Sequence, residues 1–510
     1  MPLQLGQASS FRPLCKPPEK SYLRVVKNLS VSRHYSLLLA LLCVALGCWG
    51  SEPKYELRGV WLTTNHRLDW PTVSATGAHS RERQKEELRE MLDRLQEVNI
   101  NTVFFQVRAR GDVFYESKVE PWSVYLTGEY GKNPGYDPLA FAVNECHKRG
   151  MECHAWIVTL PVGEAKQVRR MGSKSVVKKR PQLCTLYHGE WHLDPGQPET
   201  ANYLRLIVNE IVSNYNIDGI HFDYIRYPEE AQGFPDARTY KKYGGGKSLA
   251  EWRTENITRI QETLYNEAKR INPRVLVSVS PLGKYQRLPQ YPKIGWTGIE
   301  SVHQDAGKWM RDGKCDFVVP MMYYLHEHFF PFVDNWTTQC SEGFVAPGLG
   351  LYRLNEPEWS INDITDQIDY GRFHNTRGNV FFRCMNLLSN REFYQLLKEE
   401  YYRYPTLMPI EKPIDNTITP PYGVQAQHIG NTLVFEWEDR SSIDNPSYLI
   451  YRADGDQVQL IARGTSETTL TIDAAGHSGE CQYYLTIYNP RERCESRPSE
   501  VVKPAENGGR

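Results

Sequence analysis

The chain has 510 residues, more than one ordinary hydrophobic core can use, so two or three domains are expected. Sixty Lys and Arg offset 61 Asp and Glu for a formal charge of −1, which removes the basic footprint that a nucleic-acid partner requires. With 40% hydrophobic and 24% charged residues the composition is that of a folded globular protein, and collagen, coiled-coil and disordered classes drop out. Twelve Trp and 31 Tyr supply many flat amphipathic rings, which either stack on sugars or fill cores.

At the start of the chain Lys20, Arg24, Lys27 and Arg33 precede the apolar run from Tyr35 to Cys48. That run is too short to span a bilayer and has the basic-then-apolar layout of an export signal. It ends in Ala45-Leu46-Gly47-Cys48, which resembles the lipobox of bacterial lipoproteins, where the Cys thiol receives the lipid. Residues 1–47 therefore read as a signal peptide with an upstream extension, and 48–54 as a tether lipidated at Cys48. The alternative is a secreted protein with an unmodified Cys48. Eleven cysteines include Cys15, Cys43 and Cys48, leaving eight beyond the leader, too scattered for a zinc cluster. Cys146, Cys153, Cys315 and Cys384 read as packed thiols, and Cys481 and Cys494 as a candidate disulfide across a hairpin.

Residues 55–405 alternate β-rich runs with helix-period segments. The runs are 58–64, 102–108, 152–158, 219–226, 275–281, 317–324, 344–351 and 379–384, with helices expected at 83–98, 138–150, 199–215 and 249–271. Eight strand-helix units predict an α/β fold, a closed (β/α)8 TIM barrel. The long loops at 109–137, 159–197, 227–247 and 282–300 all follow strands, so they gather at the C-terminal face where barrel sites lie. The basic run 174–180 reads as a solvated loop. Residues 406–420 hold several prolines and no helical period, the mark of a linker. Beyond it, 421–505 shows short alternating strands and resembles a fibronectin type III or immunoglobulin-like β-sandwich.

Chemistry concentrates in Asn216 to Pro228, a β-run with polar residues where a merely structural strand would have none. Side chains alternate along a strand, so His221 and Asp223 share one face and Phe222 and Tyr224 the other. Asp223, near the strand's C-terminal end, projects into the barrel mouth with Arg226 at its rim. Its burial requires compensation by Arg226, His221 or a ligand. By the same parity His154 and Trp156, Gln106 and Arg108, and Trp61 and Thr63 line a polar and aromatic mouth. The sixth run ends in Tyr323 and Tyr324, followed by His326-Glu327-His328. That triplet lacks zincin spacing and an evident third ligand, so no metal or cofactor is called for. Glu327 is the candidate second carboxylate, with Asp305 and Glu300 as rivals. Paired acids and stacking rings at a barrel mouth meet the needs of glycoside cleavage. Esterase, NTPase and dehydrogenase signatures are missing from the sequence. Arg58 belongs at the far end of the barrel.

Taken together, residues 56–71, His154–Val158, 218–228, 278–283 and 304–324 resemble the glycosyl-hydrolase-like family 10 lipoproteins of bacteria. The resemblance spans the predicted barrel. It implies a glycosidase-like fold and cleavage of peptidoglycan glycan chains stripped of their stem peptides. It places Asp223 on the fourth-strand acid of the family motif, with Tyr224, Arg226 and Tyr227 beside it, and Asp305 and Trp309 on a D-x-x-x-W pattern. The expected substrate-binding set is Trp61, Arg108, His154, Trp156, His221, Tyr224, Arg226, Tyr323 and Tyr324. The expected protein is an exported envelope lipoprotein that meets a polysaccharide or oligosaccharide substrate, touches the membrane through its lipid, and binds no nucleic acid. A glycan-binding protein using the same mouth without catalysis, and a metal-assisted deacetylase, are the competing readings.

Overall fold

The computed structural model describes residues 53–505 apart from 293, 341, 456 and 478. The expected signal peptide and Cys48 lie outside the described residues. The first domain is a parallel sheet of strands β1 (Leu57–Leu62), β2 (Thr102–Arg110), β3 (Glu152–Val158), β4 (Gly219–Asp223), β5 (Leu276–Ser280), β6 (Phe317–Val318), β7 in two pieces (Phe344–Val345 and Gly348–Gly350) and β8 (Gly378–Phe382). The first piece of β7 pairs with β6 and the second with β8, while β8 pairs with β1. Between the pieces, Ala346 N donates to Val318 O at 3.0 Å and Val380 N to Pro347 O at 3.0 Å, so the sheet closes into a barrel. The eight expected runs are these eight staves.

Helices α1 (Ala78–Glu97), α2 (Pro138–Lys148), α3 (Pro198–Asn214), α4 (Leu249–Ile271), α5 (Ala306–Arg311), α6 (Phe330–Gln339), α7 (Ile361–Phe373) and α8 (Arg391–Leu396) follow the staves in turn. Their starts are written locally. Asp137 caps α2 by accepting from Ala140 N at 3.0 Å, and Ser248 with Glu251 forms a reciprocal capping box on α4.

Strand alternation divides the apolar residues into two layers. Val60, Phe105, Ile157, Phe222 and Val279 face the helices, while Trp61, Phe104, Trp156, Phe317 and Val380 fill the barrel interior. The interior is tight enough to select glycines on its walls. A Cβ on Gly219 would stand 2.2 Å from the His154 ring, and one on Gly348 2.7 Å from the Trp61 ring.

The expected linker is in part a plug. Tyr55 and Leu407 form a parallel bridge, and Met408 and Ile410 pack into the barrel interior at its N-terminal end. Apolar residues among prolines bury as firmly as any others once a hydrophobic opening lies beside them. The C-terminal module then forms two antiparallel sheets. One holds β9 (Tyr422–Ile429), β10 (Thr432–Glu438) and β13 (Thr469–Asp473); the other holds β11 (Ser447–Asp454), β12 (Gln457–Thr465), β14 (Gln482–Asn489) and β15 (Cys494–Glu495). Phe435 and Trp437 of the first share a core with Tyr448, Ile450 and Tyr483 of the second, making a sandwich.

The sandwich docks on the N-terminal end of the barrel through Arg493. Its Nε contacts Glu152 Oε1 at 2.6 Å, and its other nitrogens donate to Arg274 O at 3.1 Å and Asp218 O at 3.0 Å. The expected Cys481–Cys494 disulfide is absent, and both residues are buried. Cys494 pairs with Asn489 at one end of β14 and Cys481 precedes its other end. Roughly 25 Å of strand separates them, against about 7 Å for bridgeable Cα atoms.

Candidate active site

The fourth stave carries the central carboxylate. His221 and Asp223 face inward, as alternation requires. In register, Trp156 stands beside His221 and Ser278, and Val158 beside Asp223 and Ser280. Asp223 is thus the last residue of its strand, 5% exposed and at the C-terminal rim. Its Oδ1 accepts from Tyr224 N at 2.8 Å and its Oδ2 from Trp156 Nε1 at 3.2 Å. Burial pushes the carboxyl above the usual aspartate range, with the Arg226 charge, the Tyr224 amide and the nearby Ser280 and Trp156 side chains opposing.

One layer deeper, His221 Nε2 accepts from Trp61 Nε1 at 3.2 Å and its Nδ1 meets Ser278 Oγ at 2.8 Å. An accepting Nε2 leaves the proton on Nδ1, and burial pushes the imidazole well below its ordinary value. His221 is a neutral strut between Trp61 and Ser278.

The strand ends at Asp223, and Tyr224 takes a left-handed φ of 50°. That turn sends its ring to the mouth, where strand alternation alone would have pointed it at the helices. A cavity of about 320 Å³ opens there, lined by Tyr224, Arg226 and Glu229 after β4, Arg110 at the end of β2, Glu190 and His192 after β3, and Trp296 after β5. Asp223 adjoins the cavity through Tyr224 and Arg226 without lining it. Arg226 is buried, lies over the Tyr224 ring at 4.5 Å and pairs with Glu229 Oε1 at 2.8 Å. Burial resists ionisation of Glu229, but the Arg226 charge together with the hydrogen bonds this carboxyl accepts outweighs burial and lowers it. Glu190, beside Arg110 at 3.1 Å, is raised by burial, and burial followed by the Arg110 charge brings His192 down to about 4. Tyr323 is within the field of Asp223, and its ring lies 5.4 Å from Phe382 and 5.8 Å from Tyr352. Burial is the main influence on the Tyr324 hydroxyl and raises it, with the Arg226 charge next and opposing.

Five expected site residues lie elsewhere or are otherwise engaged. His154 is the third residue of β3, is fully buried and pairs with Glu152 Oε2 at 2.9 Å, so it shares the face of Trp156 but sits toward the closed end. Arg108 is held by Glu120 at 2.6 and 2.8 Å and by the Val158 and Thr159 carbonyls, and Tyr203 OH completes the Glu120 contacts at 2.8 Å. Every direction of its guanidinium is spent on protein. Asp305 caps α5, accepting from Lys308 N at 3.0 Å and Tyr285 OH at 2.5 Å. Glu327 lies in a 3-10 turn beyond the end of the sixth stave, its side chain 61% exposed and 3.9 Å from His328. Trp61 is a barrel-interior ring, and its role at the site is to hold His221. The rival Glu300 accepts from Arg287 N at 3.1 Å and from Thr297 Oγ1, a loop-pinning role. Sequence reading missed Glu229 and Glu190 as mouth carboxylates. Glu229 was recoverable, because it stands three residues past Arg226 in a loop already assigned to the functional face.

A barrel with a buried acid at the C-terminal end of its fourth strand, ringed by tyrosines, indole and paired charges, defines a glycosidase-like site. The chain belongs to the glycosyl hydrolase-like 10 family, whose family model matches residues 56–352. Glycosyl hydrolase DigH of Escherichia coli (strain K12) is 33% identical over 369 residues, covering 65% of this chain and 84% of DigH. Glycosyl hydrolase YngK of Bacillus subtilis (strain 168) is 29% identical over 467 residues, covering 86% of this chain and 91% of YngK. Among solved structures, the PgaB (BpsB) glycoside hydrolase domain from Bordetella bronchiseptica aligns with a TM-score of 0.44 at 13% identity, over 68% of this chain and 98% of that one.

Proposed function

We propose that the protein is a glycoside hydrolase that cleaves a bacterial cell-envelope glycan, namely peptidoglycan strands free of stem peptides, with Asp223 as the proton-transferring acid. The observation that carries this reading is the position of Asp223 at the rim of the fourth stave, with burial raising its carboxyl. A carboxyl that keeps its proton beyond the ordinary aspartate range suits donation to a leaving-group oxygen. Glu229, driven the opposite way by Arg226, is the ionised partner that acts as base toward water or as nucleophile. Two carboxyls whose environments push them apart is the pattern that acid/base pairs in glycosidases require. Tyr323, Tyr324 and Trp156 supply the surrounding rings. Export and anchoring through a lipid on Cys48 belong to the same proposal, since they bring the enzyme to its substrate. The three-plus-four strand sandwich supports a fibronectin type III-like module fixed to the closed end of the barrel, leaving the mouth open to glycan.

Digestion of peptide-free peptidoglycan strands, followed by mass spectrometry of the soluble products, tests this. New saccharide ends formed in the presence of chelator support the two-acid hydrolase. Binding without products, or release of acetate that chelator abolishes, supports a glycan-binding protein or a deacetylase in its place.

A further inference from the structure

Trp296 is 55% exposed, although indole is among the costliest side chains to leave in water. It stands in the loop after β5 and lines the mouth cavity with Tyr224 and Arg226. Exposed rings elsewhere differ: Tyr422 in the sandwich is covered by the Arg440 guanidinium at 3.8 Å, and Phe373 sits at the outer end of α7. A second, independent observation concerns Arg226, a residue of the same cavity wall. The Arg226 side chain is 2% exposed, its terminal nitrogens reach Glu229 and the Tyr227 carbonyl, and its buried Nε has no hydrogen-bond partner. A charged donor left unmet in the interior is destabilising, and an oxygen from a bound molecule would relieve it.

We propose that Trp296 and the Arg226 Nε–H form a sugar subsite on the β4–β5 side of the mouth. The indole stacks on the apolar face of a pyranose ring, and Nε–H donates to an oxygen on a ring substituent, a carboxylate or an acetamido carbonyl. The subsite rests on the glycan reading above and adds to it the residue that grips the ring. Stacking supplies affinity with little selectivity, while the buried cation selects rings bearing a strong acceptor.

The test uses the full chain carrying Asp223→Asn, so that nothing is consumed, titrated calorimetrically with peptide-free peptidoglycan oligosaccharides. Trp296→Ala weakens Kd by about tenfold or more, Trp296→Phe by much less, and Phe373→Ala leaves Kd unchanged. Arg226→Lys, which keeps a charge for Glu229 but withdraws the Nε donor, also weakens binding several-fold. A Kd within about twofold for Trp296→Ala or for Arg226→Lys overturns the subsite. If the unsubstituted protein cleaves strands and Trp296→Ala binds normally, only the subsite fails. If binding depends on Trp296 and no cleavage occurs, only the hydrolase reading fails, and absence of binding overturns both.

Discussion

Replacing Arg493 by Met would test how the sandwich and the barrel are joined. The Arg493 guanidinium is nearly buried, contacts Glu152 at 2.6 Å, and donates to the carbonyls of Arg274 and Asp218. Removing it leaves Glu152 in the interior with only His154 at 2.9 Å, and leaves two carbonyls without their charged donor. Breaking one side of a buried ion pair costs about 3–5 kcal/mol, most of it from the stranded charge. Urea unfolding followed by tryptophan fluorescence should show a midpoint lower by on the order of 1 M. The pH dependence has a definite sign. Burial alone, the largest influence, would raise Glu152, but the charges and hydrogen bonds of Arg493 and His154 together outweigh it and hold the folded value below the ordinary 4.5. The pair's contribution is therefore complete above that ordinary value and disappears as pH falls through the folded one. The gap between wild type and Arg493→Met should narrow in acid. Arg493→Met combined with Glu152→Gln should cost less than the sum of the two, with a coupling of about 1–3 kcal/mol. A single variant within about 1 kcal/mol of wild type, or strict additivity, would refute this reasoning.

Three further outcomes are expected. Arg108→Met strands the buried Glu120 and should lower stability by about 3–5 kcal/mol, detected as a fall in Tm, with glycan affinity of the remaining folded protein unchanged because Arg108 faces protein on all sides. Trp61→Phe removes the donor to His221 Nε2 and should cost about 1–3 kcal/mol by denaturant melting, in excess of the small loss of ring area. The alkaline limb of kcat/KM should lie above the ordinary aspartate value of 3.8, with activity full between the lowered Glu229 value and the raised Asp223 value and lost above the latter; Arg226→Met, which removes the charge that lowers Asp223, should move that limb to higher pH.

The barrel was legible because each stave is a compact β-rich run and each helix announces its start with a cap such as Asp137 or Ser248. Alternation correctly turned His154, Trp156, His221 and Asp223 inward. Alternation says nothing of depth, however. His154 is level with Gly219 while Asp223 is level with Val158, and only the inter-strand register separates the closed end from the mouth. Glu327 was placed by extending the sixth stave beyond the point where its ladder ends. Asp305 carried a readable signal of another kind, an acid directly before a short helix, which is a cap before it is a catalyst. Met408 was hidden by neighbouring prolines, and Trp296 by a loop with no period to read.

The most direct measurement is the rate at which peptide-free strands are cleaved by wild type and by Asp223→Asn, alongside the Kd and melting temperature of each. With binding within about threefold and the fold intact, the amide should lower the rate by about 10²–10⁴-fold, the range expected for loss of a general acid. A variant that binds normally and still cleaves within about threefold of the wild-type rate would contradict the assignment of Asp223 as the proton-transferring acid.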